Sequence, residues 1–168
     1  MSSMADQASP RRKQSTGPMR PFERSLPMAL LRAREAVMRG FRRVLREQGV
    51  NEQEWRIIRA LMEVEQIEIG ELAESVFILK PSATRTIKNL QARKIVTRKR
   101  SGADQRRAFI SLTPRGRKLF DELAPVNEAE YARITGLIGE EEMQELYGLL
   151  RRLTDKLNGT THAGGDHD

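Results

Sequence analysis

The hydropathy pattern predicts a mainly α-helical chain with one small β-hairpin, and three observations carry that expectation. Apolar residues recur on a 3.6-residue period through most of residues 25–157. The period drops to 2 over 95–100 and again over 108–112. Between Lys80 and Lys118, thirteen basic residues face a single acid, Asp104; the stretch carries +12 within a formal total of +7, which leaves −5 elsewhere.

The helices follow in order. Leu30, Leu31, Arg34, Val37, Met38, Phe41, Val44 and Leu45 form one stripe, closed by Gly49. Asn51 and Glu54 read as a capping box at the head of a second helix, whose buried face is Trp55, Ile58, Leu61 and Met62. A short third helix over 69–76 turns Ile69, Leu72, Ala73 and Val76 inward. After a turn at 77–79, Lys80 and Pro81 open a fourth helix to about Ala92, because proline is tolerated where the backbone N–H has no partner. It buries Ala83, Ile87 and Leu90 and presents Ser82, Thr84, Arg85, Lys88 and Asn89. Two short amphipathic helices across a tight turn, the second polar and basic outside, form a helix-turn-helix.

The hairpin over 95–112 is then the wing, joined by 101–107. Thr113 and Pro114 restart a long helical region, expected to bend at Pro125. Gly139 and the acids Glu140, Glu141 and Glu142 open the last helix, with Met143, Leu146, Leu149, Leu150, Leu153 and Leu157 on its apolar face. The fold class is thus a mainly α winged helix-turn-helix. One domain over 23–157 is expected, with its DNA-binding core at about 51–113 and dimerisation helices at about 25–48 and 114–157. The basic segment 1–22 and the Gly- and Thr-containing segment 158–168 read as disordered tails.

Several function classes are excluded on composition. Cysteine is absent, which removes disulfides, thiolate metal sites and thiol redox sensing. The two histidines, His162 and His167, both lie in the expected tail, and no Gly-rich phosphate loop or nucleophile elbow occurs, so neither catalysis nor metal sensing is expected and no cofactor is required. No apolar run approaches the ~18 residues of a membrane span. The N-terminus lacks the apolar stretch of a secretory signal, so a cytoplasmic protein is expected.

A net-negative body with one concentrated basic module points to a phosphate-tracking surface and double-stranded DNA as partner. The helix over 80–92 is thin enough for a major groove. Ser82, Thr84 and Arg85 are expected to read base edges, and Lys80 and Lys88 to hold phosphate. Arg106 at the hairpin tip, with Arg107 beside it, is expected to reach a minor groove. An architectural DNA binder that reads no sequence stays open as an alternative.

The same residues carry a family resemblance. The run Ile-Gly-Glu-Leu-Ala at 69–73, Ile-Lys-Asn-Leu at 87–90 and Ile-Val-Thr-Arg at 95–98 resemble the MarR (multiple antibiotic resistance) regulators, as above all does Asp104-Gln-Arg106 followed by Ile-Ser-Leu-Thr-Pro-Arg-Gly at 110–116. The resemblance implies that Asp104 braces the wing and Arg106 reaches DNA. The family's glycine after the reading helix is Lys94 here, a departure confined to the local turn. The stretches at 30–38, 52–59 and 78–82 are similar to regulators of homoprotocatechuate (4-hydroxyphenylacetate) degradation operons, which implies repression relieved by an aromatic acid. MarR regulators dimerise through their first and last helices, and a homodimer on a palindromic operator is expected here; packing of these helices within a single chain is the alternative. For the effector, Arg34 interrupts an apolar stripe, where a lone guanidinium is costly. An aromatic carboxylate with Met28, Leu31, Trp55 and Arg56 around it is one partner; an ion pair with Glu35, or across a dimer, is the other.

Overall fold

The structure, a computed structural model, describes residues 19–100 and 107–162, without the side chains of Glu23 and 160–162. The chain divides into two units at Met38. The first holds a 3-10 turn, Phe22–Arg24, and the beginning of α1 (Leu26–Glu47). Leu26, Leu30, Leu31 and Val37 are exposed there, so the first half of the expected apolar stripe faces solvent in the single chain, while Phe41 and Leu45 further along it are buried.

In the second unit each element is ended or opened by a local device. α1 stops at Gly49, whose left-handed backbone (φ 63°) lets Val50 N–H reach back to the Leu45 carbonyl and places Val50 in the core. α2 (Glu52–Met62) opens with the expected capping box: Asn51 Oδ1 accepts from the N–H of Gln53 and Glu54 at 2.9 and 3.0 Å, and Glu54 accepts from Asn51 N–H at 3.0 Å. Trp55, Ile57, Ile58 and Leu61 are buried. α3 (Ile69–Ser75) and α4 (Lys80–Ala92) are the helix-turn-helix pair. Their turn carries Phe77 at φ 51° and sinks Ile78 into the core.

The sheet has three strands, one more than expected. β2 (Val96–Arg100) and β3 (Ala108–Leu112) form the wing in antiparallel register, Val96 opposite Leu112 and Arg100 opposite Ala108. β1 (Ile67–Glu68) adds to the other edge of β3, giving the order β1-β3-β2. A two-residue strand leaves no alternation to read, and its partner lies 43 residues further on. The wing tip, with Asp104 and Arg106, lies outside the described residues.

Behind the wing, α5 (Pro114–Ile138) begins at Thr113, whose hydroxyl accepts from Gly116 N–H at 3.1 Å and donates to the Lys94 carbonyl at 2.7 Å. Thr113 N–H bonds the Ile95 carbonyl. Gly116 seats against that same carbonyl: a Cβ there would overlap the Ile95 oxygen and stand 2.8 Å from Leu112 Cδ2. Pro125, the expected site of a bend, does not end the helix; its missing bond falls on an exposed side. Further along, Arg133 donates to both oxygens of the buried Glu130 at 2.7 and 3.0 Å. These bonds hold the Glu130 carboxyl below its usual range, against the opposing effect of burial and with help from the charges of Arg133 and Arg43.

α6 (Glu140–His162) follows Gly139 and leaves Leu146, Tyr147, Leu149 and Leu157 exposed. The tail expected from residue 158 is helical to His162. Gly159 costs only about 1 kcal/mol inside a helix already nucleated, so composition alone misplaces that boundary. The core lies between α2, α3, α4, the sheet and the first turns of α5, with Ile57, Leu61, Leu72, Leu90, Ile110 and Leu123 fully enclosed.

Gly116→Ala is expected to destabilise the protein by about 1–3 kcal/mol, since the added methyl meets backbone that cannot rotate away. Urea unfolding measures it; a change below a few tenths of a kcal/mol would show that the α5–wing junction is loose.

Candidate nucleic-acid interface

α4 is divided lengthwise. Ala83, Thr86, Ile87 and Leu90 are buried, and Thr86 Oγ1 lies 2.9 Å from the Ser82 carbonyl and 3.2 Å from Gln53 Oε1, which ties the back of the helix to α2. The opposite face carries Thr84, Arg85 and Lys88, with Ser82 and Asn89 on its flank. Thr84 Oγ1 donates to the Lys80 carbonyl at 3.0 Å and keeps its acceptor lone pairs. Arg85 and Lys88 are exposed and make no hydrogen bond or ion pair among the described residues. Lys80 Nζ lies 3.3 Å from Glu74, but both side chains are about 70% exposed (69% and 73%), and such pairs contribute little and exchange readily. The five residues the sequence placed on this helix are thus brought to one surface.

The far end of α4 is held by a buried acid. Glu54, 5% exposed, completes the capping box and receives Arg93 at 3.2 Å on both carboxylate oxygens. Arg93 therefore belongs to the scaffold. The next residue, Lys94, takes the left-handed conformation (φ 58°) where the family's glycine stands, so the turn persists with Ile95 N–H bonded to the Leu90 carbonyl.

At the wing root Arg107 has a partner within the chain. Its Nε donates to Glu68 at 2.9 Å, and its guanidinium stands 5.5 Å from the Phe109 ring centroid. In the single chain this pair links β3 to β1, the strand that sequence reading missed, and leaves the Arg107 side chain more than half exposed. Arg98, Lys99 and Arg100 on β2 are all exposed or partly so at the wing surface. From residue 75 to 100 the chain holds eight basic residues and no acid, which gives this face a field that attracts phosphate.

The residues expected around an effector lie as follows. Arg34 is half exposed and donates to Glu35 at 2.8 Å, so the cost of a buried lone guanidinium does not arise in the single chain. Met28 is half-buried and Leu31 exposed. Trp55 is 8% exposed and stacked on Phe120 at 5.5 Å, a core position. Arg56 donates to the Val76 carbonyl at 2.7 Å and lines a groove of about 390 Å³ with Arg59, Ala60, Val64, Ile67 and Phe77. Arg59, which sequence reading passed over, donates to the Tyr131 hydroxyl at 3.0 Å, and Tyr131 in turn packs on Phe41 at 4.7 Å. The spacing of Arg56 and Arg59 along one helical flank was visible in the sequence; the arrival of Tyr131 from 72 residues away was not.

Residues 48–107 match the MarR family model. The transcriptional regulator FarR of Neisseria gonorrhoeae is 35% identical over 137 residues, covering 80% of this chain and 94% of that protein. The homoprotocatechuate degradative operon repressor of Escherichia coli is 37% identical over 126 residues, covering 75% and 85%. The chain belongs to the MarR family. The structure of NadR in complex with 4-hydroxyphenylacetate aligns with this MarR-family chain at a TM-score of 0.69 and 36% identity, over 82% of this chain and 97% of that one. The protein is a transcriptional regulator and not an enzyme, and among the described residues no helix is long and apolar enough to cross a membrane.

In this MarR-family regulator Arg85→Ala is expected to weaken specific DNA binding by about 1–3 kcal/mol while changing random-sequence binding little. Lys88→Ala should weaken both alike and lower the salt slope by about 0.9 for each phosphate that the lysine neutralises. Anisotropy titrations across a salt series separate the two, and equal losses for Arg85→Ala on both DNAs would show that it reads no base.

Proposed function

We propose that this MarR-family regulator is a homodimeric repressor of an operon for aromatic-compound catabolism, released from a palindromic operator by a phenolic or aromatic acid of the 4-hydroxyphenylacetate type. The observation that carries the proposal is the pairing of one DNA-facing helix, basic outside and anchored behind, with relatives named for homoprotocatechuate degradation and for a 4-hydroxyphenylacetate complex. In this reading α4 lies in the major groove. Ser82, Thr84 and Arg85 face base edges, and Lys80 and Lys88 hold phosphate. Arg106, braced by Asp104, enters the adjacent minor groove, while Arg107 fastens the wing root. Paired copies of the exposed apolar side chains on α1 and α6 form the dimer, which sets two reading helices at twofold-related half-sites.

For the effector, the geometry favours Arg59 over Arg34. Arg34 is served by Glu35, and Trp55 is committed to the core. Arg59 offers an exposed guanidinium beside a tyrosine hydroxyl, at the rim of a groove whose apolar flank suits an aromatic ring. The groove also touches Val76 and Phe77, in the turn that leads into α4. A ligand there biases the placement of the reading helix through direct contact with that turn.

A second reading is favoured by the comparable likeness to FarR, whose name carries no aromatic substrate: a MarR regulator of another regulon, such as stress or drug efflux, with a different effector or none. One titration decides between them. Full-length protein binding the DNA upstream of its own gene should lose about 5–150-fold in affinity on adding 4-hydroxyphenylacetate. Arg59→Gln should keep the affinity and lose the response. Unchanged affinity across a panel of aromatic acids would support the second reading, and equal affinity for random DNA would overturn both.

A further inference from the structure

Leu79, at the head of α4, is a large apolar side chain that the chain itself leaves without use. It is 80% exposed, while its neighbour Ile78 is 7% exposed and already anchors the turn. It also occupies the N-cap position, where Ser, Thr, Asp or Asn accepts a free N–H of the first helical turn; leucine cannot, and no side-chain bond caps α4. Both the burial and the capping that this position could provide are forgone in the free protein.

The surroundings say what fits it. Lys80, in an exposed pair with Glu74, follows directly, Arg85 and Lys88 lie along the same helix, and residues 75–100 contain no acid. An apolar protein surface would have to leave those charges unmatched, whereas a polyanion matches them. In a major groove the one apolar group at the base edges is the C5-methyl of thymine, and the N-terminal residues of a reading helix are those that meet base edges. Phe77, also exposed, lines the groove with Arg56 and Val64.

We infer that Leu79 packs on the C5-methyl of a thymine in each half-site and selects that base by apolar contact, beside the hydrogen-bond selection by Arg85. The inference rests on the proposal that α4 lies in the major groove of a specific operator. Taking one methyl group out of that packing corresponds to about a fourfold loss of affinity per half-site.

The test removes the methyl and nothing else. In a footprinted operator from upstream of the protein's own gene, each thymine is replaced in turn by deoxyuridine, and affinity is measured by anisotropy for the wild-type full chain, Leu79→Ala and Leu79→Ser. Wild type should lose affinity about fourfold at one thymine per half-site. Both variants, altered in both half-sites, should bind the unmodified operator at least about sixteenfold more weakly and be indifferent to uracil at that position. Leu79→Ser should also melt at a higher temperature than wild type, because it restores a cap; weaker binding by a more stable protein then cannot come from misfolding. Wild type that discriminates operator from random DNA yet is indifferent to every uracil would overturn the role of Leu79 alone, as would variants that keep the wild-type uracil profile. Wild type with no preference for the operator would overturn the underlying reading as well.

Discussion

The structure depends on how the chain turns from the reading helix into the wing. At Lys94 and Ile95 two carbonyls are left exposed as α4 ends, and Thr113 returns from the far strand to take both: its hydroxyl donates to Lys94, and its N–H to Ile95. The same hydroxyl caps α5, and Gly116 lets the helix come down onto the Ile95 carbonyl with no side chain between them. Helix, hairpin and the 25-residue α5 thus meet in one small knot of backbone. Through these bonds a displacement of α4 is passed to the wing and to α5.

Charge is sorted by the same construction. Arg93 and Arg107 belong to the basic module by position, yet each pairs with an acid from another element, Glu54 of α2 and Glu68 of β1, with Arg107 still more than half exposed. Arg93 closes the back of α4, and Arg107 closes the root of the wing. Arg85, Lys88, Arg98, Lys99 and Arg100 remain at the surface for an external polyanion. The thirteen bases between Lys80 and Lys118 are therefore divided between pairs within the chain and an exposed basic face.

What was legible in the sequence was local. The capping box of Asn51 and Glu54, the Thr113–Pro114 start, the glycine stop at 49 and the two-faced helix over 80–92 each depend on residues within about a turn of one another, and the structure reproduces them. What was not legible depended on distance. The strand Ile67–Glu68 exists only because β3 offers it an edge. The assignments of Arg93, Arg107 and Tyr131 require partners 39 to 72 residues away. A periodic stripe implies burial and so casts Arg34 as a buried cation, whereas in the single chain the stripe is buried at Phe41 and Leu45 and open at Arg34, with Glu35 within reach. Lys94 shows the converse: a family glycine can be replaced without loss of the turn, at the cost of placing a lysine where L-residues are disfavoured.

Native-state hydrogen exchange tests the knot most directly. If α4, the wing and α5 are joined through it, the amides of Ile95, Thr113 and Gly116 should exchange only through global unfolding, with the same free energy and denaturant dependence as core amides such as Leu61 and Ile110. Exchange of those three by a lower-energy, denaturant-independent opening, while the core stays protected, would show that the reading helix and the wing move independently.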